Sequence, residues 1–285
     1  ATMTAPNEQQ IEYWNEQAGP RWVTMQETLD RQIEHFGLAA MDAAGIAPGQ
    51  SVLDIGCGCG ATTVELGKRV TKKGAVLGVD ISRPMLNRAE ERARVGQMKH
   101  VQFAEADAQA FRFEAGNFDV AFSRFGVMFF EDPTAAFANI RTALRTDGKL
   151  AFVCWNEMKQ NAWMLEPIMA IADLVELPPP PDPTEPGPFA LADTDRLRKV
   201  LSDAGYRDIS IEAYNEPTII GKGLDLEGMV DFYFEIGPLS RILAEATEEQ
   251  KEAVRARLRE MLGSRATPDG VAFGSAAWIV KAVPA

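Results

Sequence analysis

Cysteine, histidine and basic side chains are scarce in this chain, and each shortage excludes something. Its 285 residues include three cysteines and two histidines, His35 and His100. Cys57 and Cys59 stand one residue apart and Cys154 stands alone. No second Cys/His pair completes a zinc site, so no metal ligand is assigned. The odd count without paired spacing argues against a disulfide framework and for a reducing, cytoplasmic setting. Lysine and arginine number 29 against 41 acids, a formal net charge of −12. Basic surface supplies most of the affinity for a phosphate backbone, so nucleic acid is not the expected partner. No apolar run approaches the ~20 residues that span a bilayer, so no membrane insertion is expected. The stretch Ala1-Thr-Met-Thr-Ala-Pro6 has no basic region followed by an apolar one, so no secretory leader is expected there. What remains, 46% apolar and 25% charged, is the composition of a globular chain able to bury a full core.

Against that background one run stands out: Ser51-Val-Leu-Asp-Ile-Gly-Cys-Gly-Cys-Gly-Ala61. Val52, Leu53 and Ile55 have strand character, Asp54 interrupts them, and Gly56, Gly58 and Gly60 follow at alternate positions. Ala61–Val70 then has helical spacing. Strand, glycine loop and helix together bring backbone close to a ligand, because glycine carries no Cβ. Gly56-x-Gly58-x-x-Ala61 also satisfies the dinucleotide pattern. A second apolar run, Ala75–Asp80, closes on an acid 20 residues past Gly60. A carboxylate there can accept from both hydroxyls of a ribose. Ser82 caps the next helix better than Asp80 does, and Pro84 suits its first turn.

Three features separate the two cofactors that this pattern allows. Asp54 lies inside the glycine motif, where it suits a cationic ligand and would repel a pyrophosphate. Val101–Asp107 reads as a third strand ending in an acid. Asp107 can accept from an adenine amino group beside the Ala108 backbone, or it can cap the stretch that follows. Phe118–Gly126 reads as a fourth strand opening into an aromatic loop. This succession resembles the class I S-adenosylmethionine (SAM)-dependent methyltransferases, in the small-molecule branch that includes the ubiquinone/menaquinone-biosynthesis type. The resemblance implies that Asp54, Gly56, Cys57 and Gly58 form the glycine motif, that Asp80, Ile81 and Met85 face the ribose, and that Asp107 and Ala108 face the adenine. It further implies that Ser123 lies at the end of the fourth strand beside the cofactor, and that Trp22 covers it. In place of the Asn-Pro-Pro-Tyr-like element of base methylation stands Ser123-Arg-Phe-Gly.

Strands at 51–55, 75–79, 101–104, 118–122 and 149–155 alternate with helices at 61–70, 84–95 and 134–145. With 209–214 and 275–282 they make seven. The expected fold is therefore α/β, a doubly wound, mostly parallel seven-stranded sheet (Rossmann-like) with helical lid additions. The expected organisation is an N-terminal helical cap at 1–48, a SAM-binding core at 49–155, a lid insertion at 156–190, core again at 191–219, a helical lid insertion at 220–270 and a final strand at 271–285. In the cap, Ile11, Trp14, Ala18, Trp22, Met25 and Leu29 fall at helical spacing, with Gly19-Pro20 breaking the run and Gly45 stopping a second helix. The proline-rich stretch Pro178–Pro188 reads as a stiff surface connector. Two helices are expected over 225–262, and Met229, Phe232, Tyr233, Phe234, Ile236 and Leu239 are candidates for the apolar lining of a lid.

No acid–base pair emerges. His35 and Tyr13 are the only candidates for a catalytic group, and Arg124 can meet an anion. The reading is methyl transfer to an O, N or C nucleophile of a small, partly apolar molecule, by proximity. An NAD-type oxidoreductase and a non-catalytic SAM-binding protein are the alternatives. A homo-oligomer is left open.

Overall fold

The computed structural model describes residues 5–285. The first four residues, which the sequence assigns to the cap, lie outside the described residues. The chain opens with α1 (Glu8–Glu12), a π-helical turn (Tyr13–Gln17), α2 (Ala18–Thr24) and α3 (Gln26–Ala44), and Gly45 stops α3 in the left-handed conformation. Gly19-Pro20 does not break the run. Pro20 lies in the first turn of α2, where a missing N–H leaves no hydrogen bond unmade. The irregularity is taken up by the π turn before it. Gly19 is demanded by packing, since a Cβ there would lie 2.5 Å from Ser82 Oγ.

The core follows as β1 (Ser51–Ile55), α4 (Ala61–Val70), β2 (Ala75–Asp80), α5 (Arg83–Val95), β3 (Val101–Glu105), β4 (Phe118–Arg124), α6 (Pro133–Ala143) and β5 (Leu144–Trp155). β3 ends at Glu105, so Asp107 stands in the loop beyond it. Then come α7 (Ala162–Ala170), α8 (Thr194–Asp203), β6 (Tyr206–Tyr214) and β7 (Thr218–Ile220). α9 (Leu226–Glu235), α10 (Pro238–Ala244), α11 (Glu248–Gly263), β8 (Val271–Phe273) and β9 (Ala277–Pro284) complete the chain. Three helices, not two, occupy the 225–262 region, because Pro238 cannot continue α9 and instead begins α10.

Seven strands form one sheet in the order β3-β2-β1-β4-β5-β9-β6. β1 to β5 pair in parallel and β9 runs antiparallel to both β5 and β6. This is the doubly wound sheet expected from the sequence. β7 and β8 pair separately as a two-stranded ribbon. Three residues per strand are too few to show a period of two, so the sequence does not announce this ribbon.

Helices cover both faces, as a parallel sheet requires. Phe122, Phe137, Phe152, Leu53 and Leu150 are fully buried between the layers. The strand order reverses between β1 and β4. At such a switch point the loops leave in opposite directions and open a crevice at the carboxyl ends of the strands.

Candidate active site

The crevice holds a cavity of about 1260 Å³. Single-ligand pockets measure about 300–1,000 Å³, so this one has room for two small molecules. One wall comes from the carboxyl ends of β1 and β2 and the loop after β3. It contains Gly56, Cys57, Gly58, Asp80, Ile81 and Met85, with Asp107 and Ala108 beyond them. The sequence reading had singled out all eight.

The wall is shaped by backbone contact and by backbone hydrogen bonds. Gly56 has φ +66, and a Cβ on it would lie 2.7 Å from Gly126 Cα. The β1 and β4 loops therefore touch main chain to main chain. Asp80 ties the glycine loop to α5. Its Oδ2 accepts from the Gly58 N–H at 2.8 Å and its Oδ1 from the Ser82 N–H at 2.8 Å. Burial pushes the Asp80 carboxyl up, while these same N–H groups favour its charged form. Ser82 caps α5 and donates to the Trp14 carbonyl at 2.8 Å, fastening the N-terminal helices to the core.

Asp107 accepts from the Gln109 N–H at 3.0 Å and from Asn7 Nδ2 at 2.8 Å. Asn7 also accepts the Glu131 N–H through its Oδ1 at 2.6 Å. It thus latches the chain's beginning across the cavity rim. Nothing local in the sequence marks Asn7, since its partners are about a hundred residues away. Trp22 and Tyr13 both reach the wall. Tyr13 is engaged by α10: its Oη accepts from Arg241 Nε at 3.0 Å, and the guanidinium stands 4.2 Å over its ring.

Three sequence-derived candidates do not reach the wall. Asp54 is fully enclosed, and its Oδ2 accepts from the Thr62 and Thr63 hydroxyls at 2.7 and 2.8 Å. It pins the first turn of α4 to β1 from behind the loop. Ser123 donates to the Ile55 carbonyl at 2.7 Å and accepts the Gly126 N–H at 3.1 Å, so its hydroxyl is consumed between strands. His35 packs on Phe36, and its Nδ1 lies 2.9 Å from Tyr214 Oη. Burial lowers its pKa. A period-two or period-3.6 pattern cannot tell a wall residue from one a single layer behind it.

Other residues enter the wall unannounced or against expectation. The proline-rich stretch is part of it, through Pro178–Pro181 and Pro186 among others. Of the six apolar residues expected to line a lid over 225–262, only Ile236 belongs to the wall. Met229, Phe232, Tyr233 and Leu239 are buried in the core, and Phe234 packs against it beneath Arg255. Arg124 belongs to the wall. Among the described residues its one charged partner within reach is Asp30, at 3.8 Å. Burial lowers the Arg124 pKa and Asp30 opposes that.

Asp54 also sets a pH dependence. Burial pushes its carboxyl up to about 6 from an ordinary 3.8, against the pull of Thr62, Thr63 and Arg124. A raised folded-state pKa adds stability below the unfolded value, and that increment is lost as pH rises through the folded value. The span from 3.8 to about 6 corresponds to roughly 3 kcal/mol at most. Denaturant unfolding of Asp54→Asn and the parent protein, near pH 4 and near pH 8, should show the variant gaining on the parent by up to about that amount at the higher pH. A constant difference between the two proteins would show that Asp54 ionises without penalty.

Residues 52–148 match the model of a family described as a methyltransferase domain. This stretch is similar to methyltransferase domains. The aklanonic acid methyltransferase of Streptomyces sp. (strain C5) is 32% identical over 129 residues, 44% of this chain and 59% of that protein. The ubiquinone/menaquinone biosynthesis C-methyltransferase of Shewanella piezotolerans is 32% identical over 122 residues, 42% of this chain and 49% of its own. The chain thus spans about half the length of the curated relatives it matches. Phosphoethanolamine N-methyltransferase 2 of Haemonchus contortus, solved with S-adenosyl-L-methionine, shares the fold over 87% of this chain and 52% of its own, with TM-score 0.53 at 21% identity. The matched residues supply the part of the wall that bears Gly56, Gly58, Asp80 and Asp107. Trp163, the proline-rich stretch and α10 lie beyond them. No helix of the described residues is long and apolar enough to cross a membrane.

Proposed function

We propose that this chain is a SAM-dependent methyltransferase that methylates an oxygen, nitrogen or carbon nucleophile of a small, partly apolar molecule in the cytoplasm. The observation that carries this reading is the convergence of the glycine loop, Asp80 and Asp107 on one wall of a cavity with room for two molecules. The likeness of residues 52–148 to methyltransferase domains supports it. Three free, buried cysteines suit a reducing compartment.

SAM supplies a methyl group already activated on a sulfonium. Asp80 would hold the ribose hydroxyls, and Asp107 with the Ala108 backbone would hold the adenine edge. The narrow loop at Gly56 and Gly58, with Ile81 and Met85 opposite, fits a flat ligand pressed against backbone. Arg124 would take the carboxylate at the amino-acid end. Its guanidinium is nearly buried, and among the described residues its one ion pair is with Asp30, at 3.8 Å. Asp54 would act from behind, as a negative charge under the loop rather than as a contact. Trp14 and Trp22, packed edge to face at 5.6 Å, would roof the cofactor. Together with 156–190 and 220–270 they form the lid.

Neither sequence-derived candidate for a general base stands free in the wall. Tyr13 is held by Arg241, and His35 stands outside. Catalysis then rests on aligning donor and acceptor and excluding water, which can lower a barrier by up to about 7–11 kcal/mol. Calorimetry with SAM, S-adenosylhomocysteine and NAD tests the cofactor. Binding of the first two with no heat from NAD is expected, and NAD binding alone would overturn the reading. A methyl-acceptor screen then separates an enzyme from a SAM-binding protein that transfers nothing.

A further inference from the structure

Asn7 has every polar group engaged, and its side chain reaches two different loops of the core. Its backbone N–H donates to Glu131 Oε2 at 3.0 Å, and its carbonyl accepts from the Ile11 N–H at 2.9 Å. Its Nδ2 donates to Asp107 Oδ2 at 2.8 Å and to Gln109 Oε1 at 3.1 Å, while its Oδ1 accepts the Glu131 N–H at 2.6 Å. Gln109 Oε1 also accepts the Asp132 N–H at 3.2 Å. Asn7 is 5% exposed. It stands at φ +59, in the left-handed region that asparagine tolerates better than most side chains.

Both loops line the cavity. The one after β3 contributes Asp107 and Ala108 to the wall, and the one after β4 contributes Phe129 and Phe130. Asp107 is held at both oxygens, at Oδ1 by the Gln109 N–H of its own loop and at Oδ2 by Asn7. A carboxylate offers about four acceptor sites, so this one is pinned yet keeps capacity for a ligand. A second asparagine fastens the same segment farther along. Asn15 Nδ2 donates to the Ile81 carbonyl at 2.8 Å, and its Oδ1 accepts the Arg83 N–H at 2.9 Å. The segment is thus clipped to the loop after β2 at one end and to the loops after β3 and β4 at the other. Between the clips Gln10, Tyr13 and Trp14 line the cavity.

We propose that Asn7 is a positioning residue for the cofactor, fixing the Asp107 carboxylate so that it reads the adenine amino group. This rests on the SAM reading above and adds to it a residue far outside the matched stretch. A carboxylate fixed in advance loses less freedom on binding. It also discriminates more sharply, because it cannot turn to suit another base. Hypoxanthine carries a carbonyl where adenine carries its amino group, and its proton sits on the adjacent ring nitrogen. A pinned Asp107 meets that carbonyl, acceptor against acceptor. A freed one can swing to the ring N–H. Rejection of the wrong base therefore depends on the pin, since a site built to accept a proton strands its own polar group when none is offered.

The probes are S-adenosylhomocysteine and S-inosylhomocysteine, titrated by calorimetry into the parent protein, Asn7→Gly and Asn7→Asp. Glycine keeps the left-handed backbone and deletes the clip. Aspartate keeps the shape and sets a carboxylate against Asp107. The parent should prefer S-adenosylhomocysteine by about tenfold or more, the equivalent of one hydrogen bond to a charged group. Both variants should bind it more weakly and bring the ratio close to one. A ratio of two affinities on the same folded protein does not move with a general loosening, so it separates positioning from plain support. Persistence of the parent's ratio in either variant, or absence of a preference in a parent that binds S-adenosylhomocysteine, overturns the proposal. Failure of the parent to bind S-adenosylhomocysteine at all would strike the cofactor reading, and this assignment with it.

Discussion

Asp80→Ala is expected to weaken S-adenosylhomocysteine binding by about 100-fold or more, the largest binding loss of any single substitution in the cavity wall. Hydrogen bonds to a charged group contribute about 1.5–3 kcal/mol each, and a ribose offers two hydroxyls. The carboxylate has a second duty, because it accepts the Gly58 and Ser82 N–H groups at 2.8 Å each. Its loss frees the glycine loop from α5 and removes the preorganised surface along with the acceptors. Asp80→Asn should fare little better, since an amide nitrogen must then face one of the two N–H donors. Calorimetry with a parallel melting curve separates the effects. Affinity equal to the parent's in a folded Asp80→Ala protein would sink the assignment.

Gly56→Ala is expected to damage the fold itself. The residue needs φ +66, and its Cβ would fall 2.7 Å from Gly126 Cα. A left-handed conformation penalises an L-residue by roughly 1–2 kcal/mol. Overpacking adds about 1–3 kcal/mol, and here the obstacle is main chain that cannot rotate away. Together these predict a fall in melting temperature of about 5–15 °C. Gly116→Ala is the matched control: Gly116 has φ +64 and nothing within 4 Å of its Cβ position. It should show the conformational part alone. Equal effects at the two positions would mean that the β1 and β4 loops do not touch as described.

These two positions belong to the portion of the site that could be read directly from the chain. The glycine loop, Asp80 and Asp107 were legible because each follows a short apolar run and ends it. A parallel strand buried on both faces leaves that signature whatever surrounds it. Helix boundaries were legible for the same local reason. Ser82 and Pro84 begin α5, Asp193 begins α8, and Gly45 ends α3.

What only the tertiary structure decided is which polar atoms reach the cavity. Asp54 and Asp80 look alike in sequence, each an acid in a strand of the sheet. The Thr62 and Thr63 hydroxyls engage Asp54 behind the loop, while Asp80 turns its carboxylate to the wall. Tyr13 finds Arg241 across 228 positions of chain, and Asn7 finds Asp107 across 100. Prolines that read as a surface connector became a wall because α7 delivers them over the strand ends. Strand and helix arise from periodicities a few residues long, which the chain carries on its own. The site arises from contacts between segments that no local period relates, and these exist only once the sheet has closed over its core.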